Sequence, residues 1–538
     1  MMLTSIATQA RNGLEGLNRV PELAELPRID AYLRHYAKAT PNSEAAWCPH
    51  RRLSYLELAN NVEQCMRALA SAGVTVGDRV STLSPPNSDF LTTFLATISL
   101  GAVWLGLNPR QTRRELEFVL DDARPTVAFV RGRIGERQYT GDLLELGRKT
   151  GSQIVGLDAA AAQGGIQSYE DFVSASEQAS TDITEPSTDN TGPALLVYTS
   201  GSTGTPKGAL ISQRALVEAA RMRLKAWGHD GYRILMNLPI SHIGGACDVT
   251  CTGLVAGGGI VFLEAFDAQE TVRLIDERSV TALYQVPTQL QMLLTAADQM
   301  DANLTSLQAI CWSGARAPGP LVESLARRFP GKLGTDYSMT ESVAPITLTP
   351  LMDDTEVLQR TAGWPAMGRE VRLDGQSSEV LVRDENLMLG YWKREEETRA
   401  AIDQDGWLHT GDIGRFEDDG TLTLIGRTKE LFISGGYNIY PAEIESVLEE
   451  HDEVAVAAVV PRDDPLWGEV GCAFVAALPG ANLTGQELKT YCRSRLANYK
   501  IPKQFIIEPE LPMLPVGKID KATLRAKAAS PANTKIGN

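Results

Sequence analysis

Cysteine is scarce and poorly spaced for chemistry: seven residues in 538, at 48, 65, 247, 251, 311, 472 and 492, with no CxxC pair. An odd, scattered set argues against a disulfide framework or a zinc site and suits reduced thiols in a cytoplasmic core. Cys247 and Cys251 fall at helical spacing, but only His242 stands near as a further ligand, too few for a metal centre. Long apolar runs are missing as well. The stretch 246–263 is broken by Asp248 and three successive glycines, so no membrane span is expected. Residues 1–27 mix charges with short apolar pieces and lack the core of a signal peptide. Positive charge is in deficit: 51 Lys and Arg against 67 Asp and Glu leave −16, which argues against a broad nucleic-acid-binding face. An anionic ligand would need donors that converge locally.

Such donors stand between Tyr198 and Gly208. Thr199, Ser200, Gly201, Ser202, Thr203, Gly204, Thr205, Pro206 and Lys207 follow an apolar run, Ala194 to Val197, and Ser212 to Leu216 opens a helical pattern soon after. A strand emptying into a hydroxyl-rich, glycine-rich turn presents backbone N–H groups and side-chain donors to a phosphate. It is not a Walker A loop, because Lys207 follows proline and precedes glycine. A flexible surface loop is the plain alternative.

At 538 residues the chain exceeds one core, and about three to four folding units are expected. Helical and strand patterns alternate from Leu53 to Val130, with strands at 78–83, 102–105 and 126–130. A second series runs from Ala194 to Gly314, with strands at 234–236, 259–263, 282–284 and 309–312. Two such series predict an α/β fold with two helix-covered, mostly parallel sheets. After Thr361 short β-like runs at 379–383 and 421–425, separated by Gly and Asp turns, predict a small antiparallel or barrel-like piece. Residues 176–192 read as a polar linker, and the tail from Ala528 as disordered.

Four further segments offer chemistry. In Thr335 to Glu341, Tyr337 provides an aromatic face, Thr340 a hydroxyl and Glu341 a hard oxygen ligand for Mg²⁺; the same residues also suit a capped loop. Asp412, after Thr410-Gly411 at an expected strand end, suits two ribose hydroxyls, or simply a turn. Arg427 to Glu430 and then Ser434, Gly435, Gly436 and Tyr437 precede a helix that Pro441 opens, which reads as a domain junction. Lys518 sits in a Pro- and Gly-framed turn, where a solvated charge is the ordinary reading.

Taken together and in this order, these segments resemble the adenylate-forming superfamily of acyl-CoA synthetases, peptide-synthetase adenylation domains and firefly luciferase. The resemblance spans roughly residues 30 to 525. It implies residues 1–426 as an adenylate-forming domain, 427–430 as a hinge with Lys429 at the pivot, 431–527 as a small mobile α+β domain and 528–538 as the tail. ATP phosphates would lie on Thr199 to Lys207. Gly314, Ala315, Arg316, Asp336 and Tyr337 would line the adenine, with Thr340 at the α-phosphate. Glu341 would bind Mg²⁺, Asp412 and Arg427 the ribose, and Leu424 would lie against the nucleotide. Lys518 would be the catalytic lysine. His242 would gate an acyl site walled by Ile243, Gly244, Gly245, Gln285, Val286, Ser313, Gly314, Ser338 and Met339. Ser434, Gly435, Gly436 and Tyr437 would meet the thiol arm of CoA.

The implied reaction is activation of a monocarboxylic acid by ATP to acyl-AMP and pyrophosphate, followed by transfer to CoA. The acyl wall shows no obvious charged group apart from the titratable His242, so an apolar aryl, arylalkanoic or medium-chain fatty acid is expected. Gly244 and Gly245 are expected to leave room beside the gate. Ser338, where the family usually has glycine, is expected to narrow the pocket. The alternative is an enzyme loading an acyl or amino acid onto a carrier protein. Amino-acid-loading modules usually carry an aspartate where this chain has Ser241-His242-Ile243. A nucleotide-binding regulator without catalysis is disfavoured by the joint presence of Lys207, Glu341, Asp412, Arg427 and Lys518. Homodimers are common among such enzymes.

Overall fold

Local capping signals start the helices. Ser54 and Glu57 form a reciprocal capping box at the head of Tyr55–Ser71, and Thr112 with Glu115 repeats it before Arg113–Ala123. Asn87 accepts from the amides of Asp89 and Phe90 ahead of Ser88–Ser99. These elements belong to a computed structural model that describes residues 24–177, 190–199, 206–228, 232–329, 331–478, 480–514 and 518–530.

Two large sheets dominate. One orders Gly390–Tyr391, Lys207–Ser212, Pro193–Thr199, Val103–Leu107, Arg79–Leu83, Val127–Val130, Gln153–Gly156 and Gln167–Ser168. From Pro193–Thr199 onward its neighbours run parallel. The other orders Trp364–Pro365, Thr347–Leu348, Lys332–Tyr337, Ala309–Trp312, Ala282–Gln285, Ile234–Met236, Ile260–Phe262, Glu44–Cys48 and Arg51–Ser54. It is parallel from Lys332–Tyr337 to Glu44–Cys48. Both faces of these sheets are covered, which is why their strands are apolar almost throughout.

Helix Ser88–Ser99 lies between the sheets. The Phe90 ring meets Trp104 of one sheet and Phe262 of the other, at centroid distances of 5.2 and 6.4 Å. Its buried hydroxyls cost little, because Thr92 and Thr97 donate to the carbonyls of Ser88 and Thr93 within the same helix, at 2.9 and 2.7 Å. All seven cysteines are unpaired and buried.

The small piece after Thr361 is an antiparallel sheet of Glu370–Leu373, Glu379–Arg383, Leu408–Phe416 and Leu422–Arg427. Asp412 does not end a strand, as the sequence suggested. It sits inside Leu408–Phe416, paired with Arg427 just before a register shift at Ile413/Gly414. The C-terminal unit is α+β: Tyr437–Ile439, Phe432–Ser434, Gly468–Ala477, Val454–Asp464 and Gln504–Glu508 form its sheet, packed by Pro441–Glu449, Gly485–Arg493 and Lys521–Ala528. The expected tail begins too early. Ala528 ends that last helix and is fully buried with Leu524, Leu511 and Cys472.

No helix of the described residues is long and apolar enough to cross a membrane. Most of the expected linker, 178–189, and the residues after Ser530 lie outside the described set.

Candidate active site

Parallel strands deliver side chains to their C-terminal edge, where α/β sheets bind ligands. Here Asn237, Gln285, Ser313 and Tyr337 stand at the ends of four neighbouring strands. The expected phosphate loop is a hairpin connection: Thr199 and Lys207 form its last registered pair, with Thr199 Oγ1 3.4 Å from the Lys207 carbonyl oxygen. The sequence pattern gave no hint of the returning strand Lys207–Ser212. Ser200 to Thr205 lie outside the described residues.

Lys207 leads to the carboxylate expected to hold a metal. Its ammonium nitrogen is 5.3 Å from the centroid of the Tyr391 ring, and the Tyr391 hydroxyl donates to Glu341 Oε1 at 2.7 Å. Tyr391 was missed in the sequence. It reaches the site because Gly390–Tyr391 pairs with the strand that begins at Lys207. Thr340 and Glu341 are both buried. The turn that follows them holds Val343 at φ +60°, a left-handed conformation that a β-branched residue rarely adopts.

Tyr337, Asp412 and Arg427 converge. The phenol donates to Asp412 Oδ2 at 2.6 Å, and Arg427 Nε lies 2.8 Å from Oδ1. Burial and the neighbouring carboxylate raise the phenol's pKa, so it remains a donor; Asp412 in turn keeps the guanidinium firmly charged. The Tyr337 ring packs in an apolar cluster with Ile346, Val380 and Leu408. Gly314, Ala315 and Arg316 are exposed in front of the strand ends, and Arg316 Nε donates to the Gln359 carbonyl at 2.8 Å. Leu424 is partly exposed on the strand that carries Arg427.

Lys518 enters this site from the C-terminal unit. Its Cε lies 3.5 Å from where a side chain on Gly314 would begin, and Val286 Cγ1 lies 3.7 Å from the same point. Although the side chain still reaches solvent, loss of hydration lowers its pKa. Arg427 adds to that shift, while Asp412, Glu341 and Glu430 oppose it. The turn bearing Lys518 is closed by the bridge of Met513 with Ile519 and by the Leu514 amide donating to the Lys518 carbonyl at 2.6 Å.

Several expected wall residues turn elsewhere. The Asp336 carboxylate faces the core: Arg223 Nε and the Tyr284 hydroxyl donate to its two oxygens at 3.0 and 2.9 Å, so it has only backbone to offer an adenine. Its own carbonyl accepts from Ser313 Oγ at 3.0 Å. Arg223 also lies 3.0 Å from Asp248, and all three charged side chains are buried. Burial first, and then Asp336, push the Asp248 pKa up to about 7 against the pull of Arg223.

Gly245 does not leave room beside His242. A Cβ there would meet the Pro239 carbonyl oxygen at 2.4 Å and Met236 Cε at 2.8 Å, and one on Gly244 would meet His242 Nδ1 at 3.1 Å. Both glycines permit close packing of a π-helical turn, Gly244–Val249. Ile243 belongs to the core between the sheets. His242 Nδ1 accepts from the Gly244 amide at 3.1 Å, which assigns the ring proton to Nε2. Burial, with a smaller contribution from Lys518, lowers its pKa to about 4, so the ring is neutral at pH 7. Gln285 is buried, its Nε2 donating to Asn237 Oδ1 at 2.9 Å. Ser338 and Met339 are half-buried.

In the C-terminal unit, Gly435 and Gly436 have φ of +56° and +85° between the paired Ser434 and Tyr437. Those values are what a two-residue hairpin turn with both central residues left-handed requires. A Cβ on Gly435 would also strike Trp467 at 2.7 Å. The turn needs its glycines before any ligand arrives. Lys429 is exposed on the rim of a cleft of about 510 Å³, which Glu430, Pro441 and Lys521 also line.

Comparison with known proteins identifies the family. The AMP-binding enzyme model matches residues 33–392, and the AMP-binding enzyme C-terminal domain matches 443–518. Indoleacetate–CoA ligase of Aromatoleum aromaticum is 35% identical, covering 93% of this chain and 98% of its own. Feruloyl-CoA synthase of Amycolatopsis is 33% identical over 91% and 97%. The anthranilate CoA ligase AuaEII in complex with anthranoyl-AMP shares the fold, with a TM-score of 0.83 at 24% identity, covering 94% of this chain and 98% of that one. The chain belongs to the AMP-binding, adenylate-forming enzyme family.

Proposed function

We propose that this chain activates an aryl or arylalkanoic monocarboxylic acid and passes it to CoA. AMP-forming acid–CoA ligation is the activity class of its relatives and of the chain itself; the choice of acid is the proposal. Loading of a carrier protein is not favoured. The observation that carries the reading is the convergence of Lys518 with Gly314, Asp412, Glu341 and Arg427.

In the first half-reaction a carboxylate oxygen bonds to the α-phosphorus of ATP as the bond to pyrophosphate breaks. Two anions must meet, and charge grows on the phosphoryl oxygens. Lys518 and Lys207 supply positive ends for that charge. Asp412, pinned by Tyr337 and Arg427, keeps lone pairs for ribose hydroxyls. Glu341 has one oxygen on Tyr391, and no other described donor bonds the carboxylate, so the residue suits Mg²⁺, which would neutralise phosphate charge.

In the second half-reaction the CoA sulfur bonds to the acyl carbon, AMP leaves with the carboxyl oxygen, and the thiol proton passes to solvent. Rotation of residues 431–527 about 427–430, with Lys429 as pivot, removes Lys518 and brings the Ser434–Tyr437 turn to the thiol arm.

An uncharged His242 supports an apolar acid, because a second ionised group on the substrate would find no partner there. The substrates named for two of the relatives, indoleacetate and the feruloyl group, support a ring-bearing one. Seven buried, unpaired thiols support a cytoplasmic location.

The test is AMP release across aliphatic and aromatic acids, with and without CoA. Preference for straight-chain acids over every ring-bearing one would reject the proposed class.

A further inference from the structure

We infer that Arg369 is a positioning residue for adenylation: it holds the strained turn after Thr340 and Glu341 and so fixes where those two groups point. The inference rests on the reading of that pair as phosphate and metal ligands.

Val343 is the strained element. A left-handed β-branched residue persists only where its surroundings over-determine it, and such sites cluster where geometry matters for function. The surroundings are explicit here. Arg369 Nη2 donates to the Ser342 carbonyl at 2.7 Å and Nη1 to the Ala344 carbonyl at 3.0 Å, bracketing Val343 on both sides. The guanidinium is itself anchored by Asp384, with Nε to Oδ2 at 2.9 Å, and is fully buried. Inside the turn, the Val343 amide donates to the carbonyls of Met339 and Thr340, at 3.1 and 3.3 Å. Glu341 is held from the other side by the Met388 amide on its carbonyl, 2.9 Å, and by Tyr391 on its carboxylate. The planar fork reaches the two carbonyls and the carboxylate from three separate nitrogens, whereas the three donors of a lysine ammonium radiate from one atom and cannot reproduce that geometry. Without the fork Val343 is free to relax to negative φ, swinging the peptide planes that follow Glu341.

The test combines Arg369→Lys with two changes at 343. Arg369→Lys is expected to lower kcat/KM for MgATP in pyrophosphate exchange by about tenfold or more, the scale of a small misplacement. KM for the acid and thioester formation from preformed acyl-AMP should hardly move. Adding Val343→Gly should restore most of the loss, because glycine adopts the left-handed conformation without the clamp. Adding Val343→Ala should not, since alanine shares the steric penalty. Equal losses in both half-reactions, or rescue by alanine as good as by glycine, would overturn the inference. Should Arg369→Lys not fold, Asp384→Asn loosens the same anchor and takes the same two rescues. A wild-type protein without acid-dependent AMP release would instead overturn the ligand roles given to Thr340 and Glu341.

Discussion

The phenol of Tyr337 and the carboxylate of Asp412 lie 2.6 Å apart, although 75 residues separate them in the chain. One ends a strand of the nine-stranded sheet; the other sits within the small antiparallel sheet. Their bond ties the two layers together at the proposed ribose site.

Asp412→Asn should therefore raise KM for ATP by about ten- to a hundredfold, the cost of losing charged hydrogen bonds. The KM for the acid should stay within about twofold, because the Asp412 carboxylate bonds Tyr337 and Arg427 and no residue of the acyl wall. Tyr337→Phe should show the same pattern at smaller size. Steady-state pyrophosphate exchange measures both; an acid KM that rises in step with that for ATP would remove Asp412 from the nucleotide.

Lys518→Ala should lose on the order of 10²-fold or more in acyl-AMP formation, the scale of removing one preorganised charge. Thioester formation from supplied acyl-AMP should fall far less. Comparable losses in the two half-reactions would mean that Lys518 does not act on the phosphoryl group.

Gly436→Trp should block CoA transfer and spare pyrophosphate exchange. Its φ of +85° strains any L-residue, so Gly436→Asn serves as the control, since asparagine tolerates that conformation. If asparagine blocks transfer as fully as tryptophan, bulk at the turn is not what matters.

Asp248→Asn should flatten the pH dependence of stability. The native pKa is raised from 3.8 to about 7, so the folded state binds the proton more tightly than the unfolded chain. The resulting stabilisation is complete below about pH 4 and disappears as pH rises through about 7, on the order of a few kcal/mol at most. Asparagine mimics the protonated form. The difference in Tm, variant minus wild type, should thus become more positive from pH 5 to pH 8. A constant difference would show Asp248 ionised throughout.

Strand edges were legible where apolar runs end abruptly: Ile234–Met236, Ala309–Trp312 and Glu379–Arg383 fall on the expected bounds. Lys207–Ser212 was not, because its glycine and lysine read as loop and its pairing partner lies across the hairpin. Among site residues, Glu341, Tyr337, Arg427 and Lys518 stood out by chemical type within short motifs. Tyr391, Arg223 and Arg369 carry no such local mark. Each acquires its role from a partner at least 25 positions away: Tyr391 from Glu341, Arg223 from Asp248 and Asp336, Arg369 from Ala344 and Ser342. Side-chain direction was the other loss. Asp336 and Ile243 occupy expected positions in the chain yet point inward: Asp336 because a strand alternates its faces and one of them must fill the core, Ile243 because it heads the π-helical turn that packs into the core between the sheets.

The seclusion of every native sulfhydryl offers a practical handle. A single cysteine placed at Leu466, 77% exposed on the C-terminal unit, would meet a maleimide dye while Cys48, Cys65 and the others stay shielded. A second dye on the large domain would then test for the proposed swing of one part against the other during turnover, in a chain that keeps all seven of its own thiols.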